Sequence, residues 1–272
     1  CRPEPAMAPR ILIHAGFHKT GSSSVQAALR AHAAALAPHC AVLLADTPEG
    51  HRMQEAARLL SRAPGVVNRR LFRRAFDAWL GLIPLGQDQR LILSCEDLSG
   101  HMPGHPGIDA YAMAGRLASV AARAAREMWP GAEVWLAYGT RAPESWLASV
   151  YWQQAQHPHL TEDFAPFAAR LRPACDFTAL VAQIGLEADT PAIAMALERH
   201  GPRRLGPVEA LYDLIALPDS LRATLAPVPP VNASGKARIA RKLVALNRRG
   251  LDPEALTAAK RALLARGTPP GR

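Results

Sequence analysis

Ile11-Leu12-Ile13, then His14-Ala15-Gly16-Phe17-His18-Lys19-Thr20-Gly21-Ser22-Ser23-Ser24, then Val25-Gln26-Ala27-Ala28-Leu29, is the stretch on which the fold turns. A short apolar run passes through a glycine-containing turn into a segment of helical spacing, which reads strand, loop, helix. Downstream the alternation repeats. A second strand is expected at Ala41–Leu44, helices at about 51–63 and 66–82, and a third strand at Leu91-Ile92-Leu93-Ser94. A long helix over Ile108–Glu127 and a fourth strand over Glu133–Tyr138 follow. The next helix opens at Pro143, a first-turn position where the missing amide donor costs nothing. Strands alternating with helices predict parallel βαβ units, hence an α/β fold with a central, mainly parallel sheet flanked by helices. Beyond residue 160 the chain reads as mostly helical, with a fifth strand at Ala192–Ala196, a break at Pro227-Val228-Pro229-Pro230, and terminal helices at about 234–248 and 253–265. No internal repeat is visible.

With 272 residues, 49% hydrophobic and 20% charged, the chain can bury a full core, which excludes disorder as its main state. A single domain over 7–272 is expected. Residues 1–6 read as a short leader, because Met7-Ala8-Pro9-Arg10 looks like a natural start and no apolar signal core precedes it. The Ala-rich run Ala31–Ala45 is interrupted by His32, Pro38 and His39, so no membrane span is expected. Cys1, Cys40, Cys95 and Cys175 lack C-x-x-C spacing, and three sit among apolar neighbours. That pattern predicts reduced, buried thiols of a cytoplasmic protein, with no zinc site and no disulfide framework. The net charge of +9 favours an anionic partner: nucleic acid, a membrane surface, or a phosphorylated or sulfated small molecule. An Arg- and Ala-rich composition accounts for part of that charge without any partner.

The loop after the first strand narrows the choice. Anions bind where free backbone N–H groups start a helix, and small residues let them approach. A nucleotide-binding P-loop reads G-x-x-x-x-G-K-[ST]. Gly16 and Gly21 have that spacing, but Ser22 stands where the lysine should be and Lys19 lies two residues before the second glycine. A lysine inside the loop can neutralise charge on a bridging oxygen while Thr20, Ser22, Ser23 and the amides hold the terminal group. The plainer alternative is that Ser22 or Ser23 simply caps the first helix.

Lys19-Thr20-Gly21-Ser22-Ser23 resembles the 5′-phosphosulfate loop, K-[ST]-G-[ST]-[ST], of sulfotransferases that use 3′-phosphoadenosine 5′-phosphosulfate (PAPS). A second segment, Gly139-Thr140-Arg141 through Ser149-Val150-Tyr151, has the spacing Arg-x7-Ser followed by an aromatic and resembles the 3′-phosphate motif of the same family. The resemblance implies a P-loop-like three-layer fold, donor contacts from His18, Lys19, Thr20, Gly21, Ser22, Ser23, Ser24, Arg141 and Ser149, and no required metal. In Leu91-Ile92-Leu93-Ser94-Cys95-Glu96-Asp97-Leu98 it implies that Glu96 is the general base, Lys19 and Glu96 forming the catalytic pair. Glu96 or Asp97 could instead cap a turn or act as a Walker-B-like acid.

The implied reaction moves a sulfuryl group to a hydroxyl or amine of a small-molecule or glycan acceptor, giving adenosine 3′,5′-bisphosphate. Its competitors are a P-loop kinase with Glu96 or Asp97 on Mg²⁺, a sulfotransferase-like binding protein, and a nucleic-acid or polyanion module. The last predicts aromatics interleaved with basic residues, and at 6% aromatics no such pattern is seen, so no nucleic-acid partner is expected. Oligomeric state stays open. His101, His105, Trp152, His157 and His159 are acceptor-side candidates, and Arg69, Arg70, Arg73 and Arg74 read as a solvated helix face. Asn232-Ala233-Ser234-Gly235-Lys236 resembles an Asn-x-Ser segment of bacterial members, whereas the Arg-Lys-Gly phosphate motif of animal cytosolic enzymes is not evident.

Overall fold

The apolar runs form five short strands: β1 (Arg10–His14), β2 (Cys40–Leu44), β3 (Arg90–Ser94), β4 (Glu133–Thr140) and β5 (Ala192–Ala196). They make one parallel sheet in the order β2-β3-β1-β4-β5. A computed structural model describes residues 9–86, 89–229 and 237–267. The expected leader, Met7 and the Asn232–Lys236 segment lie outside the described residues.

The helices, in chain order, are α1 (Ser22–Leu36), α2 (Pro48–Arg62), α3 (Val66–Leu80), α4 (Ala114–Met128), α5 (Pro143–Ala155), α6 (Phe164–Leu171), α7 (Phe177–Ala188), α8 (Leu197–His200), α9 (Glu209–Leu214), α10 (Asp219–Thr224), α11 (Ala237–Asn247) and α12 (Pro253–Gly267). The chain divides into two compact units. The first runs to residue 102 and takes in 111–141 and 176–231; it holds the whole sheet. The second comprises 103–110, 142–175 and the chain from 232 onward, and is helical. There Asn247 on α11 donates to the carbonyls of His157 and Leu160 at 2.8 and 2.7 Å, and Lys260 on α12 donates to that of Gln156.

β1 is the central strand, and Ile11, Leu12 and Ile13 are buried on both faces, which is why it reads as a continuous apolar run. By the alternation of strand side chains, Leu12, Ile92, Ala137 and Met195 share one face. They pack with Val25 and Leu29 of α1 and with Leu211, Tyr212 and Ile215. α4 packs on β4, and α7 on β4 and β5. The result is the expected three-layer α/β arrangement.

The expected helix over Ile108–Glu127 begins only at Ala114. Ile108 instead pairs antiparallel with His105 around Gly107, whose φ of +76° a helix cannot accept. Pro48 and the Thr47 hydroxyl, which accepts from the Gly50 amide at 3.0 Å, start α2 earlier than the periodicity suggests. Cys40, Cys95 and Cys175 are free and buried, and burial pushes the Cys40 thiol up to about 12. Among the described residues no helix is long and apolar enough to cross a membrane.

His14 ends β1 in full burial, sharing a 2.8 Å hydrogen bond between Nδ1 and the Ser94 hydroxyl of β3. Burial lowers its pKa from 6.5 to about 4, so the folded chain refuses a proton that the unfolded chain accepts. Stability therefore falls as pH drops from about 6.5 to about 4, by about 3 kcal/mol, and levels off below. Urea titrations of the native chain and of His14→Gln across this range check it: the native chain loses that much relative to the variant. A difference independent of pH would mean that His14 titrates normally.

Candidate functional site

The ends of β1 and β3 lie side by side, His14 in register with Ser94, while β4 is in register with His14 at Ala137 and runs on to Thr140. The chain leaving β1 returns at β2, on one side of β1, and the chain leaving β4 returns at β5 on the other. Such a divergence opens a crevice at the carboxyl edge between β1 and β4, where open α/β sheets bind ligands. The Gly/Ser loop occupies this edge.

The backbone of the loop extends the ladder on both sides. Ala15 N–H donates to the Ala137 carbonyl at 3.0 Å, Phe17 N–H to Gly139 at 3.1 Å, and Cys95 N–H to His14 at 3.0 Å. Phe17 is fully buried, its ring centroid 4.6 Å from Tyr111, 4.9 Å from Tyr138 and 5.2 Å from Phe177. Its carbonyl accepts from the Thr20 hydroxyl at 2.5 Å and the Ser22 hydroxyl at 3.1 Å. The chain thus curls back on itself, with Lys19 and Gly21 both in the left-handed region at φ 64° and 100°. Gly21 suits this twice over, because a Cβ there would also lie 2.9 Å from Leu197.

Gly21 is the N-cap of α1 and makes no side-chain cap; the first turn holds no acidic residue. The plainer alternative, a cap from Ser22 or Ser23, is therefore not formed, since the N-cap is Gly21 and the Ser22 hydroxyl turns to Phe17. What remains is a helix end of positive potential reached by Ser23 and Ser24. Lys19, half-buried, stands just before it.

Arg141 follows β4 and donates from Nη1 to the Lys19 carbonyl at 3.2 Å, so the end of β4 meets the loop. Ser149, its expected partner, lies half-buried on α5 in the second unit. Glu96 opens a 3-10 turn after β3 and abuts the loop from the other side: a Cβ on Gly16, at φ +96°, would lie 3.0 Å from the Glu96 Cβ. The Glu96 carboxylate accepts from Gln26 Nε2 of α1 at 2.6 Å.

Asp97 behaves differently from either role expected of it. Its buried carboxylate accepts from Arg58 Nη1 at 2.9 Å and lies 3.5 Å from His18 Nε2. His18, expected to contact the donor, is tied into the same group. Its backbone N–H donates to the Tyr111 hydroxyl at 3.2 Å and its ring stacks on Tyr111 at 6.0 Å. Gln26, Arg58 and Tyr111 are the residues that sequence reading missed; each is an isolated polar or aromatic residue on a helix or loop, with no motif around it.

Of the weaker candidates, His101 donates its backbone N–H to the Ser61 hydroxyl. His105 and His159 meet edge-on at 5.2 Å, beside Asp109, Glu162 and Arg170, in a pocket of about 300 Å³ within the second unit. No protein-family model matches the chain and no curated protein matches it, so the site is read from its own residues.

The contrast between neighbours is measurable. Asp97→Asn leaves the Arg58 guanidinium facing a neutral amide and lowers stability by about 1–3 kcal/mol. Glu96→Gln, half-exposed, stays within about 0.5 kcal/mol of the native chain. Urea midpoints compare the two; equal effects contradict the difference in environment.

Proposed function

We propose that this chain is a sulfotransferase, moving a sulfuryl group from PAPS to a hydroxyl or amine of a small-molecule or glycan acceptor. The observation that carries the reading is the convergence on one loop of three charged residues from neighbouring strand ends. Lys19 sits within the loop, Arg141 is bonded to its carbonyl, and Glu96 is packed against Gly16. The loop residues fit an anion: a left-handed lysine, an uncapped helix start without acidic residues, and small side chains at 21–24. The same reading makes the fold P-loop-like and the chain cytoplasmic.

In the proposed step the acceptor oxygen or nitrogen attacks sulfur, and the bond from sulfur to the bridging oxygen breaks. The electron pair leaves with the 5′-phosphate of adenosine 3′,5′-bisphosphate. Glu96 takes the acceptor proton through the carboxylate oxygen that Gln26 does not hold, because a neutral hydroxyl is a poor nucleophile. Lys19 offsets the charge developing on the leaving oxygen, and Arg141 is assigned the 3′-phosphate. Thr20 and Ser22 commit their hydroxyl protons to Phe17, so the donor is held by amides, Ser23 and Ser24. His18 is assigned a supporting role through Asp97 and Tyr111. By analogy with phosphoryl transfer, positioning and charge stabilisation supply the catalysis, and no step calls for a metal. Against a kinase, which would need an acid on Mg²⁺, the Asp97 carboxylate is engaged by Arg58 and His18.

Adenosine 3′,5′-bisphosphate in EDTA then stabilises the chain by about 2.7 kcal/mol at a hundredfold excess over its Kd. Melting curves test this, and stabilisation only by ATP with Mg²⁺ overturns the reading. With PAPS and pooled acceptors, release of the bisphosphate follows turnover. Glu96→Gln lowers kcat by about 10²- to 10⁴-fold while bisphosphate binding persists, and Lys19→Ala loses more in kcat than in donor affinity. Near-native kcat in either variant refutes its assigned role.

A further inference from the structure

α3 has two faces of different construction. Phe72, Phe76, Trp79 and Leu80 are fully buried and fix the helix to the fold. On the other side Val67, Arg70, Leu71, Arg74 and Ala78 recur at three- and four-residue spacing, and all are exposed, Val67 to 77% and Leu71 to 47%. A merely solvated helix face is polar throughout, whereas here apolar side chains alternate with guanidinium groups. The stripe continues onto the tip of the α2–α3 hairpin, where Arg62, Ala63, Pro64, Gly65, Val66 and Val67 are consecutively exposed, Val66 to 53%. Between the two helices runs a groove of about 420 Å³ walled by Ala56, Leu59, Leu71 and Ala78, with Glu55 and Arg74 also on its walls.

The charge on this face is one-sided. From Ala56 to Phe76 the sequence has six arginines and no Asp or Glu. Arg58 is taken up by Asp97, and Arg73 by Asp77 and Glu127. Arg62, Arg69, Arg70 and Arg74 are exposed and have no ion pair among the described residues.

We propose that the hairpin tip and the outer stripe of α3 form a docking surface for an anionic lipid bilayer, with Val66, Val67 and Leu71 at headgroup depth and Arg62, Arg70 and Arg74 on the lipid phosphates. Long arginine stems can lie along apolar surface while their charged ends reach the phosphates. A second copy of the chain fits poorly, because a two-fold contact through this face would set arginine against arginine. A bilayer needs only shallow insertion together with charge. The inference stands apart from the proposed catalytic reading.

Co-sedimentation of the full chain with vesicles tests it. Vesicles of phosphatidylcholine alone leave the chain in solution; vesicles that also contain phosphatidylglycerol bind it, less so as salt rises above about 0.1 M. Each arginine near an anionic surface contributes about fivefold in affinity, so replacing Arg70 and Arg74 together by Ala weakens binding by about 25-fold. Replacing Val66 and Val67 together by Ser also weakens it, and the emission of a Val67→Trp reporter shifts to the blue on binding. No binding to phosphatidylglycerol vesicles, or binding that survives either double replacement, overturns the proposal. Arginine dependence without valine dependence, or without the blue shift of the Val67→Trp reporter, equally overturns it and assigns the face to a polyanion or an acidic protein.

Discussion

The site hangs from one buried ring. Phe17 lies in the middle of a loop otherwise made of Ala, Gly, Ser, Thr, His and Lys, and it is the residue by which that loop is attached to the fold. Its ring fills the space between Tyr111, Tyr138 and Phe177, its N–H closes on Gly139, and its carbonyl gathers the Thr20 and Ser22 hydroxyls. With both sides of the Phe17 peptide fixed, the chain reaches α1 within four residues only by passing through left-handed Lys19 and Gly21. A non-glycine residue in that region costs about 1–3 kcal/mol, and burying one Phe side chain contributes about 1.5–3 kcal/mol. The two are of the same order, so the strained lysine is tolerable because an apolar residue sits two positions before it.

From that attachment the neighbouring strand ends take their places. Gly16 has no side chain to hold Glu96 away, and the parallel register of β1 with β3 brings Glu96 level with the loop. Glu96 and Asp97 are consecutive, yet one faces the loop under the hold of Gln26 while the other pairs with Arg58 and His18. Asp97, Arg58 and His18 satisfy one another, and a buried carboxylate so satisfied is part of the scaffold. That division leaves the shape of the loop to rest on Asp97 and its partners and not on the Glu96 carboxylate.

What could be read in advance follows from the range of the interactions. β5 is legible to the residue because an apolar run between turn residues is a local signal; the strand order is not, because short connections would set β2 beside β1 and the sheet places β3 there. The start of α4 is not legible, because Ile108 follows helical spacing but answers to a bridge with His105. The supports of the site are hidden for a different reason. Gln26 and Glu96 are 70 residues apart, Arg58 and Asp97 39, and His18 and Tyr111 93. No motif spans such distances, so sequence can name a lysine and a glutamate at strand ends without naming what fixes them.

The net charge of +9 shows the same limit from the other direction. As a sum it points to anions of every kind, yet pairing takes some of it out of play: Arg10, Arg30, Arg123, Arg172, Arg203, Arg222 and Arg248 each have a carboxylate partner within 4 Å. Where the charge sits then decides what it can do. Over a screening length of about 10 Å, a lysine in a loop at the sheet edge and four arginines around an exposed hairpin act as separate fields. The first is confined between strand ends where one anion can be held by amides as well as charge. The second is spread over an outer face with apolar side chains between the guanidinium groups, a construction suited to a surface and not to a single small ligand. Charge in this chain therefore acquires meaning only from which carboxylates lie beside it and whether the surrounding backbone can share the ligand.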